Sequence, residues 1–367
     1  MDMAYRFGIE EEYFLADAAT RGTPAADAAR RFHVMAGDRL PGVGREVLQA
    51  QIEVQTEPGT DLVAARDRLR FCRQTLGALG RELGLLVFSS GTHPRLCWPE
   101  QELSEGDRYT RMVAEYGILA ARNMVCALHV HVEVARPDER AALMGRLVPY
   151  LPVLLALSAS SPFWEGRHTG LASYRMAAYR EWPRSGLPAR FDDDADYTRF
   201  LRIMTGSGAI PDASFLWWAV RPARAFPTLE LRVCDACPDV DDAVAITALY
   251  RCLVRLLERR PEIHARLSGT SLAVAAENFW RAQQGGVGAR LIDEQAGALT
   301  PLAAHADTLL QAVAEDADAL GCAGVLAGVR DIVARGTGAD RQREVWHGAG
   351  GGAAALDAVV DWLARAH

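Results

Sequence analysis

Four segments of the chain carry apolar residues on one face and polar residues on the other, and this pattern constrains the fold more than any other feature. They are Phe7–Leu15, Gln49–Thr56, Cys126–Val134 and Thr228–Asp235, and Leu85–Ser90 is a fifth, more apolar candidate strand. Successive side chains of a strand point to opposite faces. Parallel strands buried on both faces form continuous apolar runs instead. The pattern therefore predicts an antiparallel or mixed sheet with one open polar face.

Helices are predicted between and after these strands. Apolar residues recur at helical spacing over Asp61–Leu83, and further helices are predicted at Arg108–Arg122, Glu139–Ser158 and Asp241–Arg259. After residue 260 the chain is rich in alanine, which predicts a wholly helical region. No composition break marks a linker. We therefore expect an α+β fold in a single domain over residues 1–367, with a helical C-terminal portion from about 240 to 367 packed on it.

The charged residues exclude several functions. The net charge is −7, so a basic face for nucleic acid is not expected. All 40 basic residues are arginine, because the sequence contains no lysine. Chemistry that depends on a P-loop lysine, a Schiff-base lysine or a lysine general base is therefore excluded. Phosphate chemistry would have to use arginine, metal ions and backbone amides.

Cysteine usage and hydropathy indicate a cytoplasmic protein. The seven cysteines are scattered, which is typical of reduced thiols rather than a disulfide framework. The first residues, MDMAYRFG, lack a charged stretch followed by an apolar one, so no signal peptide is expected. The most apolar run, Leu147–Ala159, contains two prolines and is too short to span a bilayer. It is interpreted as a buried helix, and no membrane partner is expected.

The polar faces of the strands carry the residues most suited to chemistry. Glu10 and Glu12 are two apart on one strand and so share a face, roughly 6–7 Å apart along it, whereas Glu11 points the other way. If all four faces belong to one sheet, they bring together a set of carboxylates with two imidazoles and one arginine, namely Glu10, Glu12, Glu53, His129, His131, Glu230 and Arg232.

Carboxylates crowded in this way repel one another unless cations neutralise them. Oxygen-rich ligands with one imidazole suit Mg²⁺ or Mn²⁺ better than zinc. The alternative at this point is that each polar face is simply solvated, because half-exposed strands always carry polar residues.

Two further motifs carry weaker signals. The Cys-x-x-Cys pair at Cys234–Cys237 has no second pair, so structural thiols are favoured over a zinc site. The segment WPRSGLP, Trp182–Pro188, with Arg175 upstream, could offer Arg175 and Arg184 to an anion or form a surface turn.

A set of short motifs in a fixed order resembles a known family over nearly the whole chain. The motifs include GIEEE at Gly8–Glu12, IEVQT at Ile52–Thr56, HVHV at His129–Val132 and PTLELRVCD ending at Asp235, with GTHP, RYTRM, ALSASSPFW, ASYR and ENFWRA between and after them. The sequence is similar to the carboxylate–amine ligase family, also called glutamate–cysteine ligase type 2. This family is related to the glutamine synthetase fold.

The resemblance implies a cupped, mainly antiparallel sheet whose polar face holds ATP and divalent metals, with helices on the other face. It implies ATP-dependent amide bond formation through an acyl phosphate, with Mg²⁺ or Mn²⁺ as cofactor and a small carboxylate and amine as substrates. A homodimer is left open. The implied metal ligands are Glu10, Glu12, Glu53, His129 and Glu230. Arg232 and Arg175 are the implied catalytic arginines, and the substrate or nucleotide site is expected to include Arg175, Arg232, Asn278, Arg184 and His131.

The sequence departs from the family pattern at two places. Ala219 stands where an acidic residue is expected, and Gln284-Gly285-Gly286 replaces an Arg-Tyr-Gly segment. These departures keep open a catalytically inactive nucleotide-binding relative. A metal-dependent hydrolase or cupin-like oxygenase is the other alternative. In that protein His129 and His131 would bind Zn²⁺ or Fe²⁺ together with Glu133 or Glu53.

Overall fold

A seven-stranded antiparallel sheet forms the centre of the computed structural model, which describes residues 3–366. The strand order is β10-β11-β5-β1-β3-β2, and β4 pairs with the C-terminal half of β1. Three two-stranded sheets lie outside it. The strands are β1 Phe7–Asp17, β2 Gly44–Arg45, β3 Gln51–Gln55, β4 Leu85–Phe88, β5 Ala127–Glu133, β6 Phe163–Trp164, β7 Arg167–His168, β8 Ser185–Gly186, β9 Trp217–Trp218, β10 Val220–Pro222, β11 Thr228–Asp235, β12 Arg290–Asp293 and β13 Ala298–Pro301.

Sixteen α-helices are found in the described residues. They are α1 Ala26–Arg39, α2 Leu62–Glu82, α3 Asp107–Tyr116, α4 Ile118–Ala121, α5 Arg140–Leu147, α6 Leu151–Ser158, α7 Arg175–Tyr179, α8 Asp194–Gly206, α9 Val240–Arg259, α10 Gly269–Gly285, α11 Leu302–Ala312, α12 Ala314–Ala319, α13 Ala323–Leu326, α14 Gly328–Arg335, α15 Gly338–Gly348 and α16 Leu356–Arg365. The α+β class and the antiparallel sheet predicted from the alternation are confirmed.

The apolar face of the sheet packs against helices and forms the core. Ile9, Val130 and Leu231 lie in register on neighbouring strands and are fully buried. Helices α2, α6 and α9 all contact the sheet or its edges. The polar face of these central strands is therefore left uncovered by these helices.

Glu11 lies on the apolar side of the sheet, as predicted from strand parity, and a buried ion pair makes this position tolerable. Arg73 of α2 donates two hydrogen bonds to its carboxylate, at 2.7 and 3.1 Å, and Tyr13 Oη donates a third at 2.5 Å. Arg73 also donates to the carbonyl oxygens of Cys237 and Pro238. A buried charge is retained only when paired in this way.

Several predicted elements differ in their details. The helix predicted at Arg108–Arg122 is broken at Gly117, whose φ of +56° ends α3 before α4 begins. The region after residue 260 is not wholly helical, because β12 and β13 form a hairpin there with Gly297 at φ +62° in its turn. Both differences arise at a glycine in the left-handed region, where other residues are strained.

One apolar stretch, Pro137–Ser158, is long and apolar enough to cross a membrane, but 72% of its most apolar window is buried inside the fold. It consists of α5 and α6, joined by a 3₁₀ turn at Val148–Tyr150 that contains Pro149. Every residue of α6 is buried. The stretch is therefore a core element, in agreement with the predicted buried helix.

Candidate active site

Strand register brings the predicted polar residues to one place on the open face of the sheet. Glu10 lies opposite His129, Glu12 lies opposite Glu53, and Glu230 lies opposite His131. Directly opposed residues of antiparallel strands have Cβ atoms about 4.5–5.5 Å apart. Four strands that are distant in sequence thus contribute side chains to one cluster, which we call the carboxylate centre: Glu10, Glu12, Glu53, His129 and Glu230.

The carboxylate centre contains two groups of ligand atoms that could each hold a metal ion. Glu10, His129 and Glu230 form one group, and Glu12, Glu53 and His129 form the other. Within each group the candidate ligand atoms lie within 4.8 Å of one another. His129 belongs to both groups. The donor set is mostly carboxylate oxygen with one imidazole, which suits Mg²⁺ or Mn²⁺.

The hydrogen bonding of His129 fits a metal ligand. Its Nδ1 atom lies 3.3 Å from Glu10 Oε2, whereas its Nε2 atom is buried and has no hydrogen-bond partner among the described residues. Burial and the nearby charge of Arg232 lower the pKa of the His129 imidazole, which favours the neutral ring that binds metals. A buried nitrogen with a free lone pair is costly without a ligand.

Repulsion between the carboxylates is visible at Glu53. Burial, together with the charges of Glu10 and Glu12, raises the pKa of Glu53 to about 8. A cation held between these oxygens would offset both the repulsion and the cost of burying the Glu53 charge. Such an ion would therefore account for three glutamates at a site where their charges otherwise oppose one another.

Three arginines surround the carboxylate centre. Arg221 donates two hydrogen bonds to Glu230, at 2.7 and 3.1 Å, and Arg232 also forms an ion pair with it. Burial alone would raise the pKa of Glu230, but Arg232 and Arg221 outweigh it and hold this pKa well below its usual value. Arg175 is fully buried. Its guanidinium carbon lies over the ring of Tyr179, 5.3 Å from the ring centroid, and the guanidinium donates a hydrogen bond to the carbonyl oxygen of Arg232 at 3.1 Å.

These residues line a cavity of about 520 Å³. All five residues of the carboxylate centre line it, as do His131, Arg175 and Arg232. Tyr179, Trp182 and Trp217 form an aromatic wall on one side. A second cavity of about 450 Å³ adjoins the first, and Glu10, His131 and Phe226 line both.

The structure does not bring two of the predicted site residues to either cavity. The side-chain amide of Asn278 is bonded on both its oxygen and its nitrogen to the backbone of Ile292, so it joins α10 to β12. Arg184 donates to the carbonyl oxygen of Phe215 and to Tyr116 Oη, and it packs on Trp217. Arg184 therefore supports the aromatic wall from behind.

His131 lines the cavity but belongs to neither metal-capable group found among the described residues. Its Nδ1 atom lies 3.0 Å from Thr228 Oγ1, and its Nε2 atom lies 3.4 Å from Glu10. The two-histidine metal site of the hydrolase or oxygenase alternative therefore finds no support in this geometry.

The two departures from the family pattern lie outside both cavity linings. Ala219 is buried, and its backbone pairs with Gly186 and Arg232. The carbonyl oxygens of Gln283 and Gln284 accept hydrogen bonds from Ala172, and Gly286 packs closely on Ala172 and Ala159. Neither departure removes a side chain from the carboxylate centre.

Arg221 is the main residue that sequence reasoning did not assign to the site. It lies on β10, which has only three residues and is too short to show an alternating pattern. Its guanidinium also donates to the carbonyl oxygens of Ser214 and Leu216. The signal in the sequence was the pair Arg221-Pro222, nine residues before Glu230 across a hairpin.

Comparisons with known proteins agree with the fold and the family resemblance. The family model for glutamate-cysteine ligase family 2 matches residues 6–355. A relative from Bradyrhizobium sp. (strain ORS 278), named glutamate–cysteine ligase 2, is 42% identical over 362 residues, covering 99% of this chain and 88% of the relative. One with the same name from Paracoccus denitrificans (strain Pd 1222) is 40% identical, covering 98% and 96%.

Two solved structures share the fold. A glutamate–cysteine ligase from Francisella tularensis, in complex with AMP, superposes with a TM-score of 0.69 at 12% identity, covering 99% of this chain and 89% of the other. A bifunctional glutathione synthetase from Pasteurella multocida gives the same TM-score at 15% identity, covering 98% of this chain and 52% of the other.

Fold, family match and relatives define an ATP-dependent ligase that joins a carboxylate to an amine and uses a divalent metal. The chain belongs to glutamate-cysteine ligase family 2.

Proposed function

We propose that the chain forms an amide bond between glutamate and cysteine, or closely related small molecules, in a Mg²⁺-dependent reaction driven by ATP. The names of its relatives supply the substrates of this proposal. The observation that carries the chemistry is the convergence of four glutamates and one histidine from four strands, with three arginines, on one cavity wall. We place the reaction in the cytoplasm, which the seven free cysteines support.

The reaction needs two steps, because a free carboxylate has no adequate leaving group. In the first step an oxygen of the substrate carboxylate attacks the γ-phosphorus of ATP, and the bond to the β–γ bridging oxygen breaks. In the second step the amine nitrogen attacks the acyl carbon, the bond to the phosphate oxygen breaks, and the amine loses a proton. No covalent enzyme nucleophile takes part.

The carboxylate centre is where the metal would be held. Glu10, Glu230 and His129 are the proposed ligands on one side, and Glu12 and Glu53 with His129 on the other. Bound there, Mg²⁺, or Mn²⁺ in its place, would neutralise phosphate oxygens and offset charge as the phosphoryl group moves.

The arginines supply fixed positive charge from the protein itself. Arg232 and Arg175 line the cavity, and their Nε atoms are buried without partners among the described residues. They are therefore proposed to hold the transferred phosphoryl group or the substrate carboxylate. Arg221 holds Glu230 in place. The two adjoining cavities, of about 520 and 450 Å³, offer room for a nucleotide and two small substrates.

A phosphate-release screen tests this proposal. Purified protein is mixed with ATP, Mg²⁺ and a matrix of amino acids and small amines. We expect phosphate release that requires both a carboxylate and an amine, with glutamate and cysteine among the productive pairs, and mass spectrometry of the product should show a new amide. Phosphate release that ignores the amine, or nucleotide binding without turnover across the whole matrix, would contradict the proposal.

A further inference from the structure

Asp235 is a fully buried carboxylate that lines neither cavity. It is the last residue of β11, three residues beyond Arg232. One of its oxygens accepts hydrogen bonds from the backbone N–H of Ser160 at 2.9 Å and from Ser161 Oγ at 2.7 Å. The other accepts from Ser173 Oγ at 2.8 Å. The carboxylate therefore joins the end of a central strand to two separate loop segments.

These bonds lead directly to Arg175. Ser161 Oγ, which donates to Asp235, also accepts the backbone N–H of Arg175 at 3.0 Å. The guanidinium group of Arg175 lies 4.0 Å from Asp235 and donates to the carbonyl oxygens of Val233 and Arg232 on the same strand. Both the backbone and the side chain of Arg175 are thus fixed relative to the end of β11.

We propose that Asp235 is a positioning residue that sets the place of the Arg175 guanidinium at the cavity wall. The inference rests on the proposed function, in which Arg175 holds a substrate or phosphoryl group. Three donors point at Asp235, and a carboxylate accepts all of them, whereas an asparagine would turn an NH₂ group toward at least one. Small displacements of a positioned group, of about 1 Å, reduce catalysis by about 10²-fold.

A double-mutant cycle between Asp235→Asn and Arg175→Gln tests the inference, with kcat and KM measured by phosphate release. We expect Asp235→Asn alone to lower kcat/KM by about 10- to 100-fold. In the Arg175→Gln background the same change should lower it by less than about 2-fold, because the group that it positions is already gone. Losses that multiply in the double variant overturn the inference.

Tyr13→Phe is the matched control. It removes a buried hydrogen bond to Glu11 on the apolar face of the same sheet. Its effect should multiply with that of Arg175→Gln, so coupling at Asp235 cannot be ascribed to general loss of stability. Equal coupling for Tyr13→Phe would overturn the inference.

If Asp235→Asn does not fold, Ser173→Ala replaces it in the double-mutant cycle, because this change removes one hydrogen bond to Asp235 and keeps the carboxylate. Ser173→Ala alone should lower kcat/KM by about 3- to 10-fold, and this loss should likewise be non-additive with that of Arg175→Gln. If Arg175→Gln alone leaves kcat/KM unchanged, the proposed role of Arg175 fails and the inference fails with it. If Arg175→Gln is impaired but the cycle is additive, the inference fails alone.

Discussion

At the scale of single residues, the alternation of side chains along β1 places three adjacent glutamates in two different environments. Glu10 and Glu12 face the cavity and belong to the carboxylate centre, whereas Glu11 faces helix α2 and pairs with Arg73. Each position avoids the cost of a buried charge in a different way. The charge of Glu11 is neutralised by Arg73, which belongs to the fold. The geometry around Glu10 and Glu12 points to neutralisation by a bound metal ion.

The assignment of Glu230 as a ligand predicts a large loss of activity on a minimal change. Glu230→Gln should lower Mg²⁺-ATP turnover by at least about 100-fold, because removal of even an outer-shell partner costs about 10- to 100-fold. Glu10→Gln should behave alike. The circular dichroism spectrum should be unchanged. Phosphate release is the measurement.

Glu82→Gln is the control for these two variants. Glu82 is the exposed last residue of α2, pairs with Arg39 at 2.8 Å and lines neither cavity. Its variant should keep turnover within about 2-fold of the parent. Near-normal turnover in both Glu10→Gln and Glu230→Gln would contradict the ligand assignment.

The two histidines of β5 should differ in their effect on metal dependence. His129 belongs to both metal-capable groups, whereas His131 contacts Glu10 and Thr228. His129→Ala should therefore raise the Mg²⁺ concentration needed for half-maximal activity by at least about 10-fold. His131→Ala should raise it less. A titration of activity with Mg²⁺ measures both, and an equal or larger shift for His131→Ala would refute this distinction.

At the scale of elements, long amphipathic segments were predictable and short ones were not. The strands at Phe7–Asp17, Ala127–Glu133 and Thr228–Asp235 and the helix Leu62–Glu82 lie within a few residues of their predicted bounds, because burial of one face imposes a period on the sequence. Strands of two or three residues, such as Gly44–Arg45 and Val220–Pro222, carry no period. Their pairing depends on tertiary contacts.

The same distinction explains the site. Parity assigned these residues to the polar faces of their strands, and the assumption that the strands share one sheet placed them together. The structure does bring Glu10, Glu12, Glu53, His129 and Glu230 together. Arg184 and Asn278 lie off the central sheet, where no period relates a residue to the cavity. Arg221 lies on the sheet but was missed because its strand, β10, has only three residues and shows no alternation.

The segment after β4 is predicted to depend on a glycine. A Cβ atom at Gly91 would lie 2.6 to 2.9 Å from the side chain of Asp235, closer than real Cβ contacts. Gly91→Ala should therefore displace Asp235 and lower the free energy of unfolding by about 1–3 kcal/mol. It should also lower kcat/KM. Urea denaturation and phosphate release are the measurements.

Gly37→Ala is the matched control for this substitution. Gly37 is exposed in helix α1, and a Cβ there would meet nothing within 4 Å. Alanine is the better helix former, so this variant should be stabilised by about 0.5–1 kcal/mol with unchanged activity. If Gly91→Ala is as harmless as Gly37→Ala, the close packing at Asp235 does not constrain the site.

At the scale of the whole molecule, helix α9 links the sheet to the C-terminal helices. Sixteen of its 20 residues are buried, and it contacts strand β5 as well as helices α2, α12, α13 and α14. Arg251 of this helix donates to the carbonyl oxygens of Ala4, Tyr5 and Thr60. These hydrogen bonds fix the residues that directly precede β1. We therefore expect the sheet and the helices after it to unfold as one unit, as a single domain requires.

Asp316→Asn tests this cooperativity from the far side of the molecule. Asp316 is fully buried and accepts hydrogen bonds from Arg255 at 2.5 Å and from Arg259 at 2.9 and 3.2 Å. Loss of its charge leaves two guanidinium groups of α9 partly unpaired, so the free energy of unfolding should fall by about 1.5–3 kcal/mol. Circular dichroism reports mainly the helices, whereas fluorescence is dominated by the eight tryptophans. Five of them, Trp98, Trp164, Trp182, Trp217 and Trp218, lie outside the C-terminal helices, and three, Trp280, Trp346 and Trp362, lie within them. Both transitions should shift together in urea. Two separated transitions, with a larger fraction of the circular dichroism signal than of the fluorescence signal lost in the first, would mean that the C-terminal helices form a unit of their own.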